Sequence, residues 1–123
     1  MLQQDVPDDY VIATGEQHSV REFVDLCAAE LGMTLQWQGT GIDEIGIDPA
    51  TNKTIVAIDP RYFRPTEVDT LLGDPTKARQ NLGWTPKITF NTLVKEMTRH
   101  DLAQAKRDEL CRSAGFPVYN HSE

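Results

Sequence analysis

Tyr10 to Gly32, YVIATGEQHSVREFVDLCAAELG, carries in one run the two patterns that decide the fold. Tyr10 to Thr14 (YVIAT) is a short apolar run with β-branched members, the pattern of a buried strand, and Gly15 closes it. Directly after it, Ser19 and Glu22 stand three apart as a capping box. Val20, Phe23, Val24, Cys27, Ala28 and Leu31 then recur at helical spacing, and Gly32 supplies the expected stop. A strand feeding a capped amphipathic helix predicts an α/β chain.

Working outward, Thr34 to Gln38 (TLQWQ) alternates like a second strand. Residues 39 to 53 read as a loop bearing Gly, Asp, Pro and Asn. Thr54 to Ile58 (TIVAI) is a third predicted strand and runs directly into DPRYFRP. Asp74 as N-cap with Pro75 at N1 announces a helix through TKARQNL that stops at Gly83. A long helix is expected from about Thr89, with Phe90, Leu93, Val94 and Met97 on one face, becoming very polar from Arg99. Residues 1–112 read as one small mixed α/β domain and 113–123 as a loosely held tail. The opening MLQQ, helix-forming, uncapped and ended at once by DVPDD, reads as the last turn of a helix that begins upstream.

Composition narrows the function classes. A formal charge of -7, from 12 basic and 19 acidic residues, repels polyanions on average, so nucleic acid and anionic membrane are excluded as general partners. No apolar run reaches the roughly 18 residues of a membrane span, and the start lacks the pattern of a signal peptide, so a cytoplasmic location is expected. Cys27 and Cys111 have neither metal-ligand nor redox spacing, and Cys27, on the apolar stripe, reads as a buried free thiol.

Most catalytic patterns fail here. Gly39-Thr40-Gly41 continues Ile42-Asp43-Glu44, so the dinucleotide fingerprint lacks its third glycine and its strand-helix context. His18, His100 and His121 have no partner at zinc-like spacing. There is no G-x-S-x-G elbow and no tyrosine followed four positions later by lysine. Thus no catalytic, cofactor-binding or metal-ligating residue is expected. Glu16 and His18 read as helix-entry capping or solvated residues, and Trp37 and Trp84 as packing residues rather than stacking platforms.

The stretch Arg61 to Asp69, RYFRPTEVD, has coherent chemistry. Pro65 fixes the backbone after Arg64, and a turn there would bring Arg64 and Glu67 toward one face. A guanidinium fork suits a phosphate and a carboxylate can accept from a pair of hydroxyls, a match for a nucleoside diphosphate. The alternative is a surface ion pair, worth about 0 to 1 kcal/mol. On residue chemistry alone both remain open, and Arg61 and Tyr62 are left unassigned.

Three blocks add a family resemblance: DDYVIATGEQHSVREFVDL, IDPRYFRPTEVDTLLGDPTKARQNLGWTP and LVKEM. With them the chain resembles the carboxyl-terminal part of the GDP-mannose 4,6-dehydratases, extended short-chain dehydrogenase/reductases. The first two blocks are the specific ones, and the likeness weakens between Gly41 and Lys53 and in the tail. The resemblance implies a bidomain enzyme in which an amino-terminal Rossmann half, absent here, binds NADP and holds the catalytic residues. It also implies that the smaller half closes over GDP-mannose, with Arg64 and Glu67 as the substrate-binding residues that carry over. The reaction so implied is a dehydration to GDP-4-dehydro-6-deoxymannose, feeding GDP-fucose biosynthesis, by a lyase that is a homo-oligomer, commonly a tetramer. This half would then be inactive alone. A rival reading is a stand-alone, non-catalytic nucleotide-sugar binding or assembly module.

Overall fold

The computed structural model describes residues 3–64 and 71–118. The first helix, α1 (Val20–Glu30), begins where the sequence predicts it, the Ser19 side chain accepting from the Glu22 backbone N–H at 3.0 Å. Only half of the capping box closes. Instead of reaching back to Ser19, the Glu22 carboxylate lies 3.0 Å from His18 Nδ1. At the other end, Gly32 takes a φ of +75° and the Met33 N–H reaches the Ala28 carbonyl at 2.8 Å, closing the helix.

Three strands follow, β1 (Gln36–Gln38), β2 (Ile45–Asp48) and β3 (Lys53–Ala57), forming an antiparallel sheet in the order β1-β2-β3. β1 and β3 lie within the expected spans, β1 starting later and β3 shifted by one residue. β2 overturns the reading of 39–53 as loop. Its four residues, Ile-Gly-Ile-Asp, are bracketed so closely by turn formers that the turns mask the strand. The β2–β3 turn is pinned by Asp48, whose carboxylate accepts from the Ala50 N–H at 3.0 Å and the Thr51 hydroxyl at 2.7 Å. Those two donors, the Thr51 hydroxyl foremost, hold the Asp48 carboxyl below the usual carboxylate range.

Between β1 and β2, residues Gly41–Asp43 form one 3-10 turn. Gly39 must be glycine there: its φ is +80°, and a Cβ would stand 2.2 Å from the Asp43 carbonyl oxygen.

The expected strand Tyr10–Thr14 joins no sheet. It is extended, but none of its backbone groups bonds to another backbone group among the described residues. It runs instead beside residues 73–79. Gly73 abuts Ala13, the Lys77 ammonium meets Asp8 at 2.6 Å, and Arg79 donates to the Thr14 carbonyl at 3.0 Å.

Helix α2 (Thr76–Leu82) starts one residue later than Pro75 at N1 would place it. Asp74 still organises the entry, its Oδ1 accepting from the Thr76 N–H at 2.9 Å and hydroxyl at 2.6 Å. These bonds, the hydroxyl first, hold the Asp74 carboxyl below its ordinary range. Gly83 ends α2 in the left-handed region, as predicted. The long helix α3 (Phe90–Ser113) is capped by Thr89, whose hydroxyl accepts from the Thr92 N–H at 3.3 Å.

The principal packing outside the sheet is α1 against α3. Ala28 and Val94 are buried there, and Arg99 of α3 donates to Glu30 of α1 at 2.6 Å. Cys27 is half-buried rather than buried, and the Thr98 hydroxyl lies 3.2 Å from its sulfur while donating to the Val94 carbonyl at 2.8 Å. The buried apolar set is otherwise small: only Ala78 joins Ala28 and Val94 among the described residues. Large apolar side chains stand exposed instead, including Val11, Ile12, Leu71, Leu72, Ile88, Leu93 and Met97. On the expected stripe of α1, Val20 is fully outside at 80% exposure.

No helix among the described residues is long and apolar enough to cross a membrane.

Candidate functional site

The candidate site lies where β3 leaves the sheet. Ala57 ends the strand, and the chain turns at once, the Tyr62 N–H donating to the Asp59 carbonyl at 3.0 Å. Asp59 writes this turn with its side chain as well. Its Oδ1 accepts from the Arg61 N–H at 2.9 Å, an arrangement short Asp side chains favour in turns. The same carboxylate takes the Arg61 guanidinium, with Nε 3.0 Å and Nη2 2.6 Å from Oδ2. Asp59 is thereby held below the usual carboxylate range, chiefly by the Arg61 side chain, and Arg61 is raised in return.

This separates two arginines that look equivalent in sequence. Arg61 has its fork occupied by Asp59 and lies over the Tyr62 ring, 5.3 Å from its centroid. It is a turn-stabilising residue. Arg64, three positions on, is exposed at the far side of the turn from the strand. Its expected companion Glu67, with the Pro65 turn that would bring the two together, falls in 65–70, outside the described residues.

Other singled-out residues prove structural. His18 stacks flat on Phe90, with ring centroids 3.8 Å apart and an interplanar angle of 4°. Glu16 at 3.6 Å and Glu22 at 3.0 Å face its two ring nitrogens. The cluster joins the N-terminal ends of α1 and α3, a contact for which the histidine's position alone gave no signal.

Trp37 packs on Gly46, its cross-strand partner, where an added Cβ would come within 3.3 Å of the indole. Its Nε1–H donates to Asp25 of α1 at 2.8 Å, and Arg21 of α1 lies over the ring while pairing with Glu44. Trp37 therefore locks the sheet to α1, a packing role as expected. Trp84 is half-buried beyond the end of α2, its N–H reaching the Ala78 carbonyl at 3.3 Å.

The residues present do not fit NADP. The one glycine pair that invites a dinucleotide sits between β1 and the 3-10 turn, and the space a Gly39 side chain would need is taken by the chain's own Asp43 carbonyl. A backbone closed on itself cannot approach a pyrophosphate as a phosphate-binding loop must. Three or more His, Cys, Asp or Glu side chains placed to hold a metal are also not found among the described residues.

Comparison with known proteins gives this geometry its context. Residues 1–97 match the family model described as GDP-mannose 4,6 dehydratase. The chain is 52% identical to the GDP-mannose 4,6-dehydratase of Vibrio cholerae, over 96% of this chain and 34% of that protein. It is 60% identical to the enzyme of that name from Sinorhizobium fredii (strain HH103), over 84% of this chain and 29% of the relative. The human GDP-mannose 4,6 dehydratase is 51% identical over 83% of this chain and 27% of its own length. The chain thus spans about a third or less of the relatives it matches, in their carboxyl-terminal part. With a family model matching 97 of its 123 residues, the chain belongs to the GDP-mannose 4,6 dehydratase family.

Proposed function

We propose that this chain is the GDP-sugar-binding portion of a GDP-mannose 4,6-dehydratase, residues 1–112 forming the binding domain and 113–123 its tail. In this reading it anchors the GDP of GDP-mannose through Arg64 and Glu67. The observation that carries the reading is the division of labour at the end of β3. Asp59 occupies Arg61 and fixes the turn, and the turn leaves Arg64 exposed one step beyond a rigid sheet. A guanidinium so placed suits the diphosphate, and the Glu67 carboxylate, three residues on, suits the ribose diol. Kinship with the dehydratases does not favour a stand-alone module.

The chain's contribution is positioning. Held at the diphosphate and ribose, the sugar is presented to groups elsewhere in the enzyme, and such orientation supplies a large part of many rate enhancements. NADP, which the family implies as hydride carrier, is bound outside these residues, and the assembled enzyme is a homo-oligomer, commonly a tetramer. The chain alone is therefore inactive: incubated with GDP-mannose and NADP, it leaves the sugar unchanged, and formation of the 4-keto product by the pure chain would overturn this.

The binding roles are tested in a chimera in which this chain replaces the corresponding carboxyl-terminal segment of the Vibrio cholerae relative. Glu67→Ala should weaken GDP about ten- to a hundredfold by calorimetry, the cost of a hydrogen bond to a charged group. It should weaken 2'-deoxy-GDP much less, since one donor is already gone. Equal, small losses for both nucleotides would return Glu67 to a surface ion pair.

A further inference from the structure

Tyr10–Thr14 has the side-chain alternation of a strand without a strand's hydrogen bonds. Val11 and Ala13 face Gly73, whose missing Cβ would stand 2.6 Å from the Ala13 Cβ and 3.4 Å from Val11 Cγ1. Ile12, between them, lines a separate apolar cleft with Trp84, Pro86 and Ile88. Successive side chains thus point to opposite faces, as in a pleated strand. Arg79, through the Thr14 carbonyl, and Lys77, through Asp8, hold the segment at both ends. Between those ends, no backbone group of 10–14 bonds to the backbone among the described residues, and Val11 and Ile12 are 52% and 53% exposed.

A row of unpaired N–H and C=O groups on a held, extended, apolar segment is a template for another strand. The flanks say which. Asp5, Asp8 and Asp9 precede the segment and Glu16 follows it. A second copy pairing antiparallel about Ile12 would set Asp8 opposite Glu16 twice over, and like charges directly opposed are destabilising. An occupant with basic flanks meets the same carboxylates favourably.

We infer that Tyr10–Thr14 is a docking edge for a β-strand from outside the described chain, apolar through its centre and flanked by Lys or Arg. The edge does not depend on what Arg64 binds.

Hydrogen exchange on the full 123-residue chain tests it. The probes are two synthetic peptides with the same alternating Val-Thr centre, one flanked by lysines and one by glutamates. The lysine-flanked peptide should slow exchange at alternate amides of 10–14 about tenfold or more, without a matching change in β1–β3. The glutamate-flanked peptide should not. The proposal is overturned if neither peptide protects the segment or if both do so equally. It is also overturned if the segment becomes protected with rising protein concentration and no peptide, because its occupant is then a second copy.

Discussion

The β1–β3 sheet and the Tyr10–Thr14 segment share strand-forming sequence yet end in opposite conditions. In the sheet every strand finds its partner within about twenty residues, across short turns fixed by Gly39 and Asp48. Tyr10–Thr14 has a comparable β-branched sequence, but no pairing partner lies near it in the chain, and it stays extended beside α2 with its backbone unpaired. Strand propensity is therefore a statement about residues, and a sheet is a statement about neighbours. The sheet is closed, and the segment is open to an addition.

That contrast can be broken most severely at Gly39. Gly39→Ala places a methyl against the Asp43 carbonyl in a left-handed backbone, so the turn must move. We expect a loss of about 3 kcal/mol, from left-handed strain plus displaced backbone, read as a lower urea midpoint. An unchanged midpoint would show that the sheet does not depend on this turn. Val94→Ala, at a fully buried position of the α1–α3 contact, should cost about 2 kcal/mol in the same titration. Trp37→Phe keeps the packing on Gly46 but loses the bond to Asp25, and should cost about 1 kcal/mol.

Acid should loosen the sheet's turn before its strands. Asp48 has a folded pKa depressed below its unfolded value, so its contribution is full above the unfolded pKa, near 4, and is lost as pH falls through the lower folded value. Amides at the β2–β3 turn should then exchange faster than those of α1. The smallest effect is expected in the open segment: Ile12→Thr, at a half-exposed position with no ladder to break, should stay within about 0.5 kcal/mol. A large loss there would mean that Tyr10–Thr14 already supports the isolated chain as the sheet does.

How much of this was legible in the sequence depended on how local the signal was. Caps were readable because they are decided within three residues: Ser19, Thr89 and the stop at Gly83 all act as their spacing predicts. β2 was hidden because four residues between turn formers offer only Ile45 and Ile47 as an alternating signal. The DPATN stretch between two β-branched runs was the overlooked hairpin mark, with Asn52 at a φ of +55°. At the site, the chemistry of RYFRPTEVD was readable, but the different fates of its arginines were not. Nothing in the spacing said that Asp59 would claim Arg61, since that depends on the turn into which the strand releases the chain.

The distinction between those arginines is where the account is most exposed. In the chimeric enzyme, calorimetric titration with GDP of Arg64→Lys beside Arg61→Lys tests it most directly. Lysine keeps the charge and removes the planar fork, so Arg64→Lys should weaken GDP about tenfold or more while affecting GMP less. Arg61→Lys, which only exchanges one cation for another opposite Asp59, should leave GDP affinity within about twofold. Equal losses at the two positions, or a larger loss at Arg61, would contradict the assignment of the diphosphate to Arg64.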